Sequence, residues 1–157
     1  MRHVAPLLPL GLALGLLLAL PAAAQPAHQH GAAPAAAART PSPAGAAVYF
    51  ISPQDGETLS GPITVRFGLR GMGVAPADVE RANTGHHHLL INMTSAELRM
   101  DEGIPAHDQS RHFGGGQTEA VITLPPGTHR LQLVLGDHNH VPHQPPVISS
   151  VITITVR

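Results

Sequence analysis

From Ala47 to the C-terminus, short runs of β-forming residues alternate with proline and glycine, and this pattern limits the possible folds more than any other feature. Runs of this length, with apolar residues at alternate positions, are typical of strands that bury one face. No stretch has a sustained 3.6-residue apolar period, and Ser95–Met100 is compatible with either a short helix or an extra strand. The six clearest runs are Val48–Ser52, Ile63–Leu69, His86–Asn92, Thr118–Leu124, His129–Asp137 and Ser150–Val156.

These runs predict an all-β fold, an antiparallel immunoglobulin-like β-sandwich of about seven short strands. The chain contains no cysteine, so packing alone must hold the two sheets together. A Pro-Gly corner at Pro126-Gly127 leads into an alternating strand, as it does before the penultimate strand of many sandwiches. His129 stands near the position where such corners commonly have a tyrosine.

The N-terminus predicts export. The apolar run Leu7–Leu20 is shorter than the roughly 20 residues that a membrane-spanning helix needs, and it matches the central region of a secretory signal. Small residues follow it, which places the expected cleavage after Ala24 and gives a signal peptide over residues 1–24. Cleavage after Ala27, which would make His28 the first residue, is the less favoured alternative.

Residues 25–46 are rich in alanine, proline and small polar residues, a composition that predicts a flexible tether. The sandwich domain is then expected over residues 47–157. We expect the protein in the periplasm or secreted, with no membrane insertion once the signal is removed. The net charge is −1 and arginine is the only strong cation, so we expect no nucleic-acid partner.

Five segments form a specific set: GMGVAPA (71–77), TGHHHLLIN (84–92), HFGGGQTEA (112–120), LPPGTHRLQLVLGDHNHVPHQPPVIS (124–149) and the closing ITITV. As a set they resemble one family of exported bacterial domains, the domain of unknown function 4399. The resemblance covers nearly all of Val48–Arg157 and implies that the histidine-bearing segments belong to the pattern of the domain. More loosely, the chain is similar in outline to CopC-type periplasmic copper-binding sandwiches, which place Asp and His after an alternating strand, as Asp137-His138 stand here.

Histidines in two segments have a spacing that suits a metal ion. In a strand, His86 and His88 face the same side with Cα atoms roughly 6.5 to 7 Å apart, while His87 faces the other side. A core or solvent-facing role for these histidines is the alternative. A second group lies at the end of the next histidine-bearing strand and in the loop after it, and it consists of Asp137, His138, His140 and His143. If the two segments meet at one edge of the sandwich, we expect the ligands to be His86, His88, His138 and His140, with His112, His143 and Asp137 as alternates or as residues that orient the ligands.

Imidazole with carboxylate, and no thiolate, suits copper, zinc or nickel, and copper is favoured by raw affinity, with zinc next. The predicted function is carriage or buffering of this ion in the cell envelope, with a periplasmic protein as a further expected partner. Affinity should decline below about pH 6.5, because ligand imidazoles must be neutral. The alternative is a pH-sensing or interaction module without metal. The chain has no nucleophile elbow, no cysteine and no HExxH pattern, so we expect no enzyme.

Overall fold

The computed structural model describes residues 39–157, so the predicted signal peptide and most of the predicted tether lie outside the described residues. Ser95–Glu97 forms one 3₁₀ turn. Within residues 39–157 no helix is long and apolar enough to cross a membrane. The described strands are β1 (Ala47–Ser52), β2 (Thr58–Leu59), β3 (Ile63–Arg70), β4 (Gly73–Val74), β5 (Thr84–Ile91), β6 (Ser110–His112), β7 (Glu119–Ile122), β8 (Gly127–Gly136) and β9 (Ile152–Val156).

The strands form two sheets. The smaller has the order β1-β3-β7, and the larger has the order β2-β9-β8-β5-β4, with β6 also paired to β5. Neighbouring strands are antiparallel except for the pairs β2–β9 and β4–β5. The predicted all-β sandwich is confirmed. The structure adds β2, β4 and β6, which have only two or three residues each and are too short to be recognised from their pattern.

The main core lies between the sheets. Alternate residues of β8, namely Leu131, Leu133 and Leu135, are fully buried there and pack with Val65 and Phe67 of β3 and with Leu89 and Ile91 of β5. This arrangement follows from the two-residue period of a strand, which sends every second side chain to the same face.

The opposite face of the larger sheet is also covered, by the segments that follow β5 and β8. Leu90, Met93, Ile104 and Val134 form a second, smaller core on this face. Strand β5 is therefore buried on both sides, and every residue from Gly85 to Ile91 is buried. A histidine on either face of β5 is thus removed from water, and this determines the chemistry of the site described below.

His129 fastens the Pro-Gly corner where many sandwiches use a tyrosine. Its Nε2 lies 2.8 Å from the Pro125 carbonyl oxygen and its Nδ1 lies 3.0 Å from the Asn92 side-chain amide. A carbonyl can only accept, so Nε2 donates to Pro125 and Nδ1 accepts from Asn92. An imidazole here supplies the corner hydrogen bond that a phenol would supply.

The described residues before β1 lie against the loop that follows β8. The Ser42 amide donates to the Gln144 carbonyl over 3.1 Å, and the Gln144 amide donates to the Thr40 carbonyl over 2.9 Å. This part of the predicted tether is therefore fixed to the sandwich. The side chains of Arg39, Thr40 and Ser42 add hydrogen bonds to Pro142, Asp137 and Pro145.

Substituting Gly85 tests the close approach of β5 and β8. A β carbon at Gly85 would lie 2.5 Å from the Gly136 carbonyl oxygen and 2.9 Å from His143 Cε1. We expect Gly85→Ala to lower the free energy of unfolding by about 1–3 kcal/mol, measured by urea denaturation. Gly73→Ala is the matched control, since its β carbon would meet only Thr84 Cγ2 at 3.4 Å. Equal stability of the two variants would contradict the packing described here.

Candidate metal centre

Four imidazoles gather on the outer face of the larger sheet. His86 and His88 lie two residues apart on β5, His112 of β6 is paired with His88, and His140 comes from the loop after β8. The six distances between their ring centroids run from 4.7 to 6.0 Å. Three separate segments of the chain thus contribute to one cluster, which we call the imidazole cluster: His86, His88, His112 and His140.

The pairing of β5 with β8 leaves room for the cluster. In this register His86 stands opposite Gly136. A β carbon at Gly136 would lie 2.9 Å from His88 Nε2 and 3.3 Å from the carbonyl carbon of His140. Glycine at this position therefore allows both the His88 ring and the returning loop to lie against the end of β8.

Three of the four rings have nitrogen atoms close enough to share one ion. His86, His112 and His140 each offer a ring nitrogen within 4.8 Å of the other two. His88 Nε2 lies 3.0 Å from His86 Nε2, a distance that requires either a shared proton or a shared cation. The Nδ1 atoms of both buried rings make no hydrogen bond with any described residue, so the contact between the two Nε2 atoms is the side-chain hydrogen bond that these rings make. This donor set fits a transition-metal ion.

Burial keeps the inner rings neutral. His86 and His88 have no exposed surface. Burial, followed by the nearby His112 and His140, lowers the pKa of His86 to about 4, although the charge of Asp137 opposes the shift. Burial and the neighbouring imidazoles lower the pKa of His88 to about 2. Neutral imidazole is the form that binds metal, so these rings are ready to act as ligands at neutral pH.

The outer rings form the solvent side of the cluster. His112 is exposed and His140 is partly exposed. The pKa of His112 is lowered by partial burial and by His140, while Asp78 opposes this shift. The cluster therefore has a buried base on the sheet and an accessible rim, and an ion could reach it from solvent.

The remaining predicted site residues lie outside the imidazole cluster. His138 Nε2 is 2.8 Å from the Asn139 side-chain amide. The buried ring of His143 lies between main-chain carbonyls, with Nε2 3.2 Å from Thr84 O and Nδ1 3.4 Å from Leu135 O. The carboxylate of Asp137 accepts hydrogen bonds from Thr40 and from the Asn139 and Val141 amides. These three residues support the loop and do not face the shared nitrogen atoms.

The imidazole cluster contains His112, which was expected as an alternate, and does not contain His138, which was expected as a ligand; this difference has a physical reason. The expectation that His138 and His140 face the same way applied strand geometry to a turn, and His140 has a φ of +66°, which is not extended backbone. His112 joins the cluster through the pairing of β6 with β5. No sequence signal sets that register, because β6 has only three residues.

His87 points to the opposite face, as the alternation of β5 predicts. Its ring lies 5.1 Å from that of Phe67 in the main core, and neither ring nitrogen makes a hydrogen bond with a described residue. Burial lowers its pKa to about 4, with the main chain of Gln117 opposing the shift. His87 is thus a neutral core residue, chemically separate from the imidazole cluster.

Comparison with known proteins identifies the domain. Residues 65–157 match the model of the domain of unknown function DUF4399. The chain belongs to this family. All four histidines of the imidazole cluster lie within the DUF4399 match, so the segments that form the cluster are part of the family domain.

Other comparisons add little. No curated protein matches the sequence. Among solved structures, one similar structure is the X-ray structure of the endo-beta-1,4-mannanase from Thermotoga petrophila. The alignment covers 71% of this chain and 20% of the mannanase chain, with 17% sequence identity and a TM-score of 0.42. This chain thus spans about a fifth of that enzyme, and so weak a likeness supports no argument. The comparisons do not confirm the looser likeness to CopC-type domains.

Proposed function

We propose that this DUF4399 domain binds one transition-metal ion through His86, His112 and His140, with His88 as the fourth ligand. The observation that supports the proposal is the convergence of four rings from three segments, two of them fully buried and neutral. An ion bound at Nε2 of His86 and Nε2 of His88 would take the place of the hydrogen bond that these two buried rings make with each other.

The geometry of the cluster favours zinc over copper(II), although affinity alone favours copper and copper was the expectation from sequence. Five of the six centroid distances lie between 4.7 and 5.0 Å, and only the His88–His140 distance is longer, at 6.0 Å. The four corners of a tetrahedron are separated by six equal distances. The four corners of a square are separated by four equal edges and by two diagonals that are longer by a factor of about 1.4. Zinc takes tetrahedral nitrogen sites and copper(II) takes tetragonal ones.

The 3.0 Å separation of the two Nε2 atoms also suits this assignment. Two nitrogens that each lie 2.0 to 2.1 Å from one tetrahedral zinc are about 3.3 Å apart. Only a small adjustment of the two rings would therefore be needed. The cuprous ion has the same tetrahedral preference and is the form in which copper would suit the site best.

The role we propose is carriage or buffering of the ion in the cell envelope, without catalysis. Four protein ligands complete a tetrahedral site and leave no open position for a substrate. The exposed His112 provides a path for exchange with another carrier. The location of this activity rests on the signal peptide predicted from the first 24 residues.

A pH-sensing module without metal is less well supported. That alternative needs histidines that become charged near pH 6.5. Burial lowers the pKa of His86 and His87 to about 4 and that of His88 to about 2, so these three stay neutral through that range. A pH-sensing role also does not explain why four imidazoles are gathered in one cluster.

Titration of the full chain with metal tests the proposal. We expect one zinc ion per chain with a micromolar or tighter Kd, measured by calorimetry and by competition with a chelator. Cobalt(II), used as a spectroscopic substitute, should give the intense visible absorption of a tetrahedral site. Millimolar affinity for zinc and copper alike, or many weakly bound ions per chain, would contradict the proposal.

A further inference from the structure

The segment Arg39–Ser42, which we call the strap, is bound along the loop that follows β8. Arg39 Nε donates to the Pro142 carbonyl over 2.9 Å, and the Arg39 guanidinium also bonds to the His143 carbonyl and the Gln144 side chain. The Ser42 hydroxyl donates to the Pro145 carbonyl over 2.7 Å. Together with the two backbone bonds between the strap and Gln144, these contacts join two parts of the chain about a hundred residues apart.

The strap also reaches the residue that shapes the loop. Thr40 Oγ1 donates to Asp137 Oδ2 over 2.6 Å, while Asp137 Oδ1 accepts from the amides of Asn139 and Val141 over 2.9 and 3.0 Å. Burial by itself raises the pKa of Asp137, but the hydrogen bonds from Thr40, Val141 and Asn139 lower it overall, so the carboxylate is charged. One buried carboxylate thus links the strap to the turn that presents His140.

His140 depends on that turn. Its φ of +66° is unfavourable for a residue with a β carbon and needs support from its surroundings. The support consists of the His140 amide bonded to Asp137 O over 2.9 Å and the Ile104 amide bonded to His140 O over 2.9 Å. The other three ligands are fixed in the paired strands β5 and β6, so His140 is the ligand whose position can vary most.

We propose that occupancy of the metal site and docking of the strap are coupled, an inference that rests on the proposed function. A bound ion ties His140 to the sheet and so orders the turn, and the ordered turn presents Asp137 and the carbonyls of residues 142–145 to the strap. The strap in turn holds the loop in the conformation that binds the ion. By linkage, each event must favour the other by the same factor.

The consequence is a signal of metal loading at the N-terminal side of the domain. When the ion is bound, the chain at Arg39 is held against the domain. When the ion is lost, the strap is released more often. A partner that recognises the free strap could therefore distinguish the empty protein from the loaded one.

Variants of the strap in the full chain test the coupling. We expect the double variant Arg39→Ala/Thr40→Val to bind zinc about tenfold more weakly, within the usual range of coupling between sites. Thr40→Val alone should show part of this loss, and Thr40→Ser should retain wild-type affinity because it keeps the hydroxyl donor. Arg66→Ala is the control, since it removes an exposed arginine paired with Glu119 on the other sheet.

Hydrogen exchange supplies the reciprocal measurement. Zinc should slow exchange of the Ser42 and Gln144 amides, which form the backbone bonds of the strap, by a factor similar to the loss of affinity. Unchanged exchange at both amides, or wild-type zinc affinity in both Val-containing variants, would overturn the coupling. The proposed function would still stand in that case if His86→Asn lost zinc affinity. A wild-type chain that bound no zinc would overturn both the coupling and the proposed function.

Discussion

Replacing His86 with asparagine is expected to weaken zinc binding by more than about a hundredfold, beyond the 10–100-fold that loss of an outer-shell partner typically costs. His86 has no exposed surface, and its ring centroid lies 4.9 to 5.0 Å from those of the other three histidines of the imidazole cluster, so no other described side chain can take its place. Asparagine is shorter and does not reach the shared point. The measurement is competition between the protein and a chelator of known affinity.

His87→Leu is the matched control for this variant. His87 is the next residue along the same strand and is equally buried, but its ring lies in the main core beside Phe67. We expect His87→Leu to bind zinc with wild-type affinity. Equal loss in the two variants would indicate that damage to β5, and not loss of a ligand, explains the effect.

A second control distinguishes the imidazole cluster seen in the structure from the ligand set expected from sequence. His138→Asn removes a histidine whose ring nitrogen bonds to Asn139, and we expect it to leave zinc affinity unchanged. His112→Asn should weaken zinc binding strongly. The reverse ranking would show that the loop after β8 binds the ion in a different conformation.

Lowering the pH from 7 to 5 in the absence of metal is expected to reduce the free energy of unfolding by roughly 4 kcal/mol. In the unfolded chain, His86, His87 and His88 take up protons near pH 6.5, whereas burial lowers the pKa of the first two to about 4 and of the third to about 2. Between pH 6.5 and 4 the unfolded state therefore binds more protons, and the free energy of unfolding falls as the pH is lowered. Each imidazole contributes at most about 2 kcal/mol at pH 5, and His86, beside the exposed rim, contributes less.

Urea denaturation of the metal-free protein at several pH values measures this effect. His87→Leu removes one of the three buried imidazoles whose pKa is lowered to about 4 or below, and we expect this variant to lose about 2 kcal/mol less between pH 7 and 5. Zinc should restore part of the stability at pH 5, because it binds only the folded state. A free energy of unfolding that is constant from pH 7 to 5 would contradict the burial of these rings.

These same pKa shifts change the expected pH dependence of metal binding. An exposed imidazole loses its metal as it becomes protonated near pH 6.5, which was the expectation from sequence. Because the pKa of His86 is about 4, protons compete for this ligand only in more acidic solution. The inner part of the site should therefore remain able to bind metal at a pH where exposed histidines no longer can.

The two faces of β5 show how much of the site could be predicted. Alternation along a strand places His86 and His88 together and His87 opposite, and the structure has this arrangement because the two-residue period depends on backbone geometry alone. The same rule applied to Asp137–His143 gave His138 as a ligand, and there the chain turns. Turn conformation depends on hydrogen bonds to distant residues such as Thr40, which no local pattern reveals.

The sequence by itself determined the all-β fold, the family and the shared face of His86 and His88, because each depends on local periodicity or on motif content. Only the tertiary structure decided that His112 and His140 complete the cluster and that the strap supports the loop. Those outcomes depend on the register of β5 with β6 and on contacts between residues about a hundred positions apart, and both are set by packing of the whole sandwich.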